Sequence, residues 1–326
     1  MAGYVIRRLV GLLPVLLGIT VISFGVMHLA PGKPTDAAMQ FNPKASLEAR
    51  ERMEKMLGLD QPLPVQYLTW LRRLGQMDFG RSFLDDRPVL EKILERLPVT
   101  VTINVWAIGL VFLIAVPLGV LAAVRPNGLF DRATTVLVFI GYSIPSFWLA
   151  LVCMKVFGVN LHWLPISGLH ALDYESFGLV HRWFDTAWHL MLPIGIMVVV
   201  GLAGLSRYSR SGMLEVLRQD YIRTARAKGL PDRRVLFHHG LRNALLPIIT
   251  ILGLMLPAFL SGSVIMETVF SIPGMGRLFY DAVMARDYPV VMALTTISAV
   301  LTLVGNLLAD LAYAYADPRI RVGTQR

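Results

Sequence analysis

The sequence contains very little cysteine and little charge. Cys153 is the only cysteine, so the chain cannot form an internal disulfide, and its place inside an apolar run favours a packing role. Only 16% of the 326 residues are charged, whereas the average in soluble domains is roughly 25%. Together with a mean hydropathy of +0.58, this shortage excludes an ordinary soluble domain.

Catalytic, metal and nucleotide motifs are also missing from the sequence. It contains neither a G-x-S-x-G elbow nor an H-E-x-x-H pair, and its seven histidines lack metal-ligand spacing. The stretch Gly32–Thr35 resembles the end of a phosphate loop, but Met27 and Pro34 occupy positions that require glycine and Ser or Thr. We therefore expect no catalytic residue, metal ligand or cofactor in this chain. The net charge of +9 lies mostly beside apolar runs, which argues against nucleic-acid binding.

Apolar runs of about 20 residues, the length of a helix that crosses a ~30 Å hydrocarbon layer, dominate the sequence. They predict an all-α integral membrane protein with six transmembrane helices. The first run is longer than the apolar region of a signal peptide and lacks a clear cleavage site, so we interpret it as a retained span. The predicted spans are residues 9–29, 99–124, 134–157, 188–205, 244–266 and 290–313.

Arginine and lysine residues determine the predicted orientation, because loops rich in these residues stay in the cytoplasm. Basic residues flank the first span, occupy the short loop after the second, fill residues 207–242 and close the chain. Both termini are therefore predicted to be cytoplasmic. Residues 31–98 would form a small helical lobe on the outer face, with helices at 47–57 and 65–74 and Gly58 just past the first.

Prolines and small polar residues interrupt the apolar runs. Two interpretations remain open: close helix packing through small residues, or kinked helices that line a path which opens and closes. A polar stripe in the last span ends at Asp310, near the inner end, where a packing role is favoured over proton relay. The candidate pathway positions are Ser143, Pro145, Ser146, Pro257, Ser261 and Ser263.

The segment from Arg207 to Arg242 carries nine basic and three acidic residues. It is predicted to form a helix, a break at Gly229 and a second helix beginning at Pro231. On the first helix, Leu214, Leu217, Tyr221 and Ala225 would share one face, opposite Gln219, Arg223 and Arg226. This helix could lie on anionic headgroups, or its exposed face could dock into another protein.

Several blocks of sequence resemble the B-type permeases of ABC importers for dipeptides and oligopeptides (the peptide/nickel family). Residues 220–230 (DYIRTARAKGL) and 241–247 (LRNALLP) resemble the coupling loop of that family. The resemblance covers nearly the whole chain. It extends to residues 143–148 (SIPSFW), 164–168 (LPISG), 271–277 (SIPGMGR), 286–289 (RDYP), 306–313 (NLLADLAY) and 317–321 (DPRIR).

The resemblance implies a type I ABC-importer architecture in the bacterial inner membrane: one permease domain over residues 1–326, with residues 207–243 as the cytoplasmic coupling loop. Its partners would be a second homologous permease, two ATPase subunits that bind ATP and Mg, and an outer substrate-binding protein. Nickel chelates, glutathione and haem precursors are alternative cargoes, and an ion-coupled secondary carrier is the alternative class. The implied coupling residues are Tyr221, Arg223, Thr224, Ala225, Arg226, Lys228 and Gly229.

The basic segment also departs from the general importer motif, which has Glu-Ala-Ala before the glycine. The corresponding positions here are Arg223, Thr224 and Ala225. Contacts made by the glutamate in other importers are therefore not expected in this chain.

Overall fold

The computed structural model describes residues 2–29, 52, 54–56, 58–255, 258 and 262–316. Regular structure in these residues is helical, apart from an isolated antiparallel bridge between Arg81 and Pro88. Two further segments, Met154–Asn160 and Val235–Leu241, are π-helical. The α-helices are α1 (Ala2–Leu29), α2 (Leu63–Gly75), α3 (Val89–Val124), α4 (Leu129–Ser143), α5 (Ser146–Cys153), α6 (Leu179–Leu217), α7 (Asp220–Ala227), α8 (Asp232–Arg234), α9 (Arg242–Leu254), α10 (Val264–Val269), α11 (Met275–Met284) and α12 (Tyr288–Ala316).

Four of the described helices are long and apolar enough to cross a membrane. They are α1, α3, α6 and α12, and the bent pair formed by α4 and residues 146–160 would make a fifth span. The predicted all-α membrane class is confirmed. The count of six spans and the cytoplasmic position of both termini stay predictions.

The third predicted span is not one straight helix. Its two halves meet at an angle of 95° between Ser143 and Ser146. Ile144 has an extended backbone (φ −86°, ψ 126°) because the ring of the following Pro145 disfavours the helical conformation at the preceding residue. Proline also has no N–H to continue the helix. The bend lies at Pro145, one of the candidate kink positions, and a single bent span over this region stays a prediction.

The fifth predicted span, residues 244–266, is likewise divided. α9 ends at Leu254, and Met266 belongs to the separate helix α10. Gly262 adopts a left-handed backbone (φ +75°), and the Ser263 hydroxyl accepts a hydrogen bond from the Met266 N–H at 3.3 Å, which starts α10. The candidate pathway residues Pro257 and Ser261 lie outside the described residues.

The helical lobe predicted over residues 31–98 is only partly described. α2 confirms the helix expected at residues 65–74. α3 begins at Val89 and runs continuously through Pro98, so the last ten residues assigned to the lobe belong to the same helix as the second predicted span. The helix predicted at residues 47–57 lies mostly outside the described residues, and Gly58 has the left-handed backbone (φ +70°) of a helix end.

α3 and α6 pack closely along small residues, and this contact determines where the end of α6 lies. A Cβ at Gly119 would lie 2.7 Å from the Cβ of Ser209, so only glycine permits this approach. The Ser209 hydroxyl donates to the Val116 carbonyl at 3.1 Å. α6 extends twelve residues beyond the predicted end of the fourth span at Leu205, so its last turns form the first part of the basic segment.

Candidate functional site

The part of the basic segment that lies between α6 and α9 contains the residues predicted to couple this chain to a partner. α6 ends at Leu217, so only residues 218–241 connect it to α9. The chain turns at Gln219, whose extended backbone (φ −71°, ψ 150°) begins α7 in a new direction. The predicted order of helix, break and helix is confirmed, with Pro231 preceding the first residue of α8 rather than occupying it.

The break at Gly229 is a complete C-terminal capping motif. Gly229 has φ +76°, the left-handed conformation that glycine adopts without a steric penalty. Its N–H donates to the Arg226 carbonyl at 2.9 Å, and the Leu230 N–H reaches back to the Ala225 carbonyl at 3.4 Å. These two bonds satisfy carbonyls that the end of α7 would otherwise leave without partners. The direction of the chain after α7 therefore depends on Gly229.

A small apolar core holds α7 against the rest of its own chain. Ile222, Ala225 and Val235 are buried together, and Leu217 and Leu230 pack against them. Val235 lies in the π-helical segment, so the core joins both sides of the break at Gly229. α7 is thus attached to the end of α6 and to the start of the helix that becomes α9.

The predicted faces of the coupling helix require correction. The sequence pattern placed Tyr221 with Ala225 on one face, but Tyr221 is 43% exposed and Ile222 is fully buried. The prediction continued one helical phase from Leu214 through Ala225, whereas the turn at Gln219 resets that phase. Ala225 faces its own chain, so its small size permits the internal packing of α7 rather than contact with a partner in this conformation.

The outward face of α7 is basic and aromatic. Tyr221, Arg223, Thr224, Arg226 and Lys228 are all exposed. Two solvent-exposed ion pairs lie on this face, Arg223 with Asp220 at 3.6 Å and Arg226 with Asp232 at 3.4 Å. Because exposed pairs contribute little energy, their arginines can exchange them for acidic groups on another surface.

A second contact joins the basic segment to the transmembrane helices. A Cβ at Gly240, in the π-helical segment, would lie 2.8 Å from the terminal methyl carbon of Met213 on α6. Met213 is fully buried and packs with Val120 and Ala244. A displacement of the segment after α7 would therefore reach α3, α6 and α9 together.

The described candidate pathway residues lie at helix ends: the end of α4, the start of α5 and the start of α10. Ser143 and Ser146 flank the bend at Pro145, and the Ser143 hydroxyl donates to the Phe139 carbonyl at 2.9 Å in its own helix. Ser263 begins α10. α5 and α10 pack against each other in one core that contains Ala150 and Met266, so the two elements that carry these serines are neighbours.

A buried carboxylate, that of Glu267, lies close to Ser263 and was not predicted from the sequence. Glu267 Oε1 accepts from the Thr100 hydroxyl at 3.0 Å, and Oε2 accepts from the Arg277 N–H at 3.0 Å. A Cβ at Gly262 would lie 2.8 Å from Oε1, so glycine at this position leaves room for the carboxylate. The only sequence signal was an acidic residue among small and apolar neighbours.

The comparisons with known proteins decide the family. Residues 115–322 match the family of binding-protein-dependent transport system inner membrane components, and residues 1–104 match the N-terminal domain of such components. The chain belongs to this family of inner-membrane transport components. The family's inner-membrane location applies to this component as well.

Full-length relatives of this inner-membrane component carry names that describe peptide transport. It is 50% identical over 321 residues to the oligopeptide transport system permease protein AppB of Bacillus subtilis, covering 98% of this chain and 99% of that protein. It is 36% identical to the dipeptide transport system permease protein DppB of Alkalihalophilus pseudofirmus, over 98% of this chain and all of that protein. The di/tripeptide permease DppB of Pseudomonas aeruginosa is 38% identical, over 98% of this chain and 99% of that protein.

Proposed function

We propose that this chain is the membrane-spanning permease subunit of an ATP-driven ABC importer that moves dipeptides or oligopeptides into the cytoplasm. In this proposal it pairs with a second homologous permease, and two cytoplasmic ATPase subunits bind ATP and Mg. An extracytoplasmic binding protein delivers the substrate. The relatives named for peptide transport support the choice of cargo.

The proposal rests on the way in which α7 is held, with one face packed against its own chain and the other exposed. Its inner face is fixed to the chain by Ile222 and Ala225, and its outer face presents Tyr221, Arg223 and Arg226 to the surroundings. A helix held in this way can transmit a displacement imposed on its exposed face. Closure of the ATPase subunits would move α7, and α6 and α9 would move with it.

Exchange of charge on α7 tests the docking surface. Arg223→Glu places a carboxylate at a position where the arginine side chain is 77% exposed, so an acidic partner surface would be repelled. We expect the purified complex to retain fewer ATPase subunits and to lose ATP-dependent peptide uptake. Arg72→Glu is the matched control, because Arg72 is also an exposed arginine on a helix but lies on α2.

Two results would contradict the assignment. Retention of active ATPase subunits by Arg223→Glu would mean that another surface docks. Equal losses in Arg223→Glu and Arg72→Glu would mean that the effect is not specific to α7. Substrate class is tested separately, by competition between a labelled peptide and unlabelled peptides or nickel chelates for uptake by the complete complex with its binding protein.

A further inference from the structure

A partly buried ion pair joins Asp131 on α4 to Arg210, which lies on α6 within the basic segment. Arg210 Nε donates to Asp131 Oδ1 at 2.6 Å, and Arg210 Nη2 donates to Oδ2 at 2.7 Å. The Asn127 N–H also donates to Oδ2, at 2.8 Å. The Asp131 side chain is 4% exposed and that of Arg210 is 29% exposed. Both carboxylate oxygens are therefore held by a planar guanidinium in a two-bond geometry that fixes orientation as well as distance.

A second contact holds α4 to α6 near the other end of α4. A Cβ at Gly141 would lie 2.9 Å from Val199 Cγ1, closer than side chains tolerate. Gly141 precedes the bend at Pro145 by four residues. α4 is thus fixed to α6 near both of its ends, and the chain changes direction immediately after the second attachment.

The ion pair also lies close to the end of α6, which packs against α7. Arg210 precedes the end of α6 at Leu217 by seven residues, about two helical turns. Leu217 packs against the core of Ile222 and Ala225. One continuous series of contacts therefore runs from α7 through the end of α6 and Arg210 to α4.

We propose that Asp131 and Arg210 are positioning residues that make α4 follow the end of α6, so that a displacement of α7 reaches the bend at Pro145. This inference rests on the proposed docking of α7. The contact is suited to this role because the two parallel hydrogen bonds resist rotation of one helix against the other. A lysine at position 210 would keep the charge but make a single point contact.

The test separates coupling from assembly. Arg210→Lys and Asp131→Asn are purified in the complete complex and reconstituted in proteoliposomes, and peptide uptake and ATP hydrolysis are measured together. We expect the ATPase subunits to stay bound and ATP hydrolysis to continue, while the peptide transported per ATP hydrolysed falls by about five-fold or more. Arg207→Lys is the matched control, because Arg207 is an exposed arginine on the same helix.

A double variant keeps the proposal testable if single variants fold poorly. Exchange of the two residues, Asp131→Arg with Arg210→Asp, restores an ion pair and should recover part of the transport per ATP lost in the single variants. A parallel fall in hydrolysis, uptake and subunit content in Arg210→Lys that the double variant does not reverse would show a merely structural role and overturn the proposal. Unchanged transport per ATP in both single variants would overturn it too. Failure of α7 docking is recognised separately, by loss of ATPase subunits in Arg223→Glu.

Discussion

At the scale of the residue, Gly229 has the most direct consequence for the proposed function. Its backbone is left-handed (φ +76°), and apart from Gly229 and its two neighbours in the chain no atom lies within 4 Å of the position that a Cβ would occupy. A substitution there acts through the backbone alone, at a cost of about 1–2 kcal/mol for an ordinary L-residue. We expect Gly229→Val to insert normally but to lose peptide uptake and substrate stimulation of ATP hydrolysis, measured on the purified complex.

Asparagine provides the control for Gly229, because it adopts the left-handed conformation more readily than β-branched residues do. Gly229→Asn should therefore retain most of the uptake that Gly229→Val loses. Normal substrate-stimulated hydrolysis in Gly229→Val would exclude the coupling role of this turn.

Glu267 leads to a prediction about stability. Its carboxylate accepts hydrogen bonds from the Thr100 hydroxyl and the backbone N–H of Arg277. Glu267 therefore connects α3, α10 and the start of α11. Glu267→Gln removes the charge and directs an amide N–H₂ toward at least one of these donors. We expect a loss of about 2 kcal/mol in the free energy of unfolding, observed as a lower melting temperature of the purified complex. The exposed Glu175→Gln should leave the melting temperature unchanged, and an equal change in both variants would contradict the prediction.

Individual residues differed in how far the sequence could predict their positions. Gly229 was predictable because a glycine after an amphipathic helix is a local signal. The exposure of Tyr221 was not, because it depends on a change of direction at Gln219. The contact between Asp131 and Arg210 joins positions 79 residues apart, and no local pattern in the sequence indicates such a pairing.

At the scale of the element, the prolines show why apolar runs predict spans better than they predict helices. Pro117 and Pro193 lie inside the continuous helices α3 and α6, whereas Pro145 divides α4 from α5. All three prolines remove one backbone hydrogen bond. α3 and α6 pack against each other along their lengths, which supports both helices through their prolines. At Pro117 and Pro193, this tertiary packing, which the sequence does not display, accompanies an unbroken helix.

The loop formed by residues 161–178 leads to a prediction about pH. Burial lowers the pKa of His170 below its ordinary value of 6.5, and the nearby Asp185 carboxylate opposes this shift. Asp185 Oδ2 also accepts the Ala171 N–H at 3.1 Å, and the Thr186 hydroxyl lies 3.2 Å from His170 Nδ1. The folded loop thus favours neutral His170. Its attachment to α6 is complete above pH 6.5 and weakens as the pH falls below that value.

Hydrogen exchange measures this attachment. After correction for intrinsic rates, we expect amides of residues 161–178 to exchange faster at about pH 5.5 than at about pH 7.5. His189, whose Nδ1 lies 3.3 Å from Asp185 Oδ1, also faces this carboxylate. His170→Gln isolates the contribution of His170 and should reduce the difference. An unchanged difference in this variant would assign the effect to another group.

At the scale of the whole molecule, large apolar surfaces remain outside the chain's own core. Only 6% of the most apolar window of α1 is buried, and side chains such as Leu137 and Trp148 on the bent pair are more than half exposed. Composition predicted the membrane class because these surfaces require an apolar environment. Which of them would face lipid and which would face the proposed second permease depends on the assembled complex, and no periodicity in one sequence specifies that division.

The energy source for transport also depends on the assembled complex. A secondary carrier would transport its substrate as this chain alone under an ion gradient, whereas a permease subunit needs its ATPase partners. We expect proteoliposomes containing only this chain to show no peptide uptake under an imposed proton or sodium gradient. The complete complex with ATP and the binding protein should show uptake, and removal of the ATPase subunits should abolish it. Gradient-driven uptake by the single chain would refute the importer proposal, because α7 would then have no partner whose closure it needs to transmit.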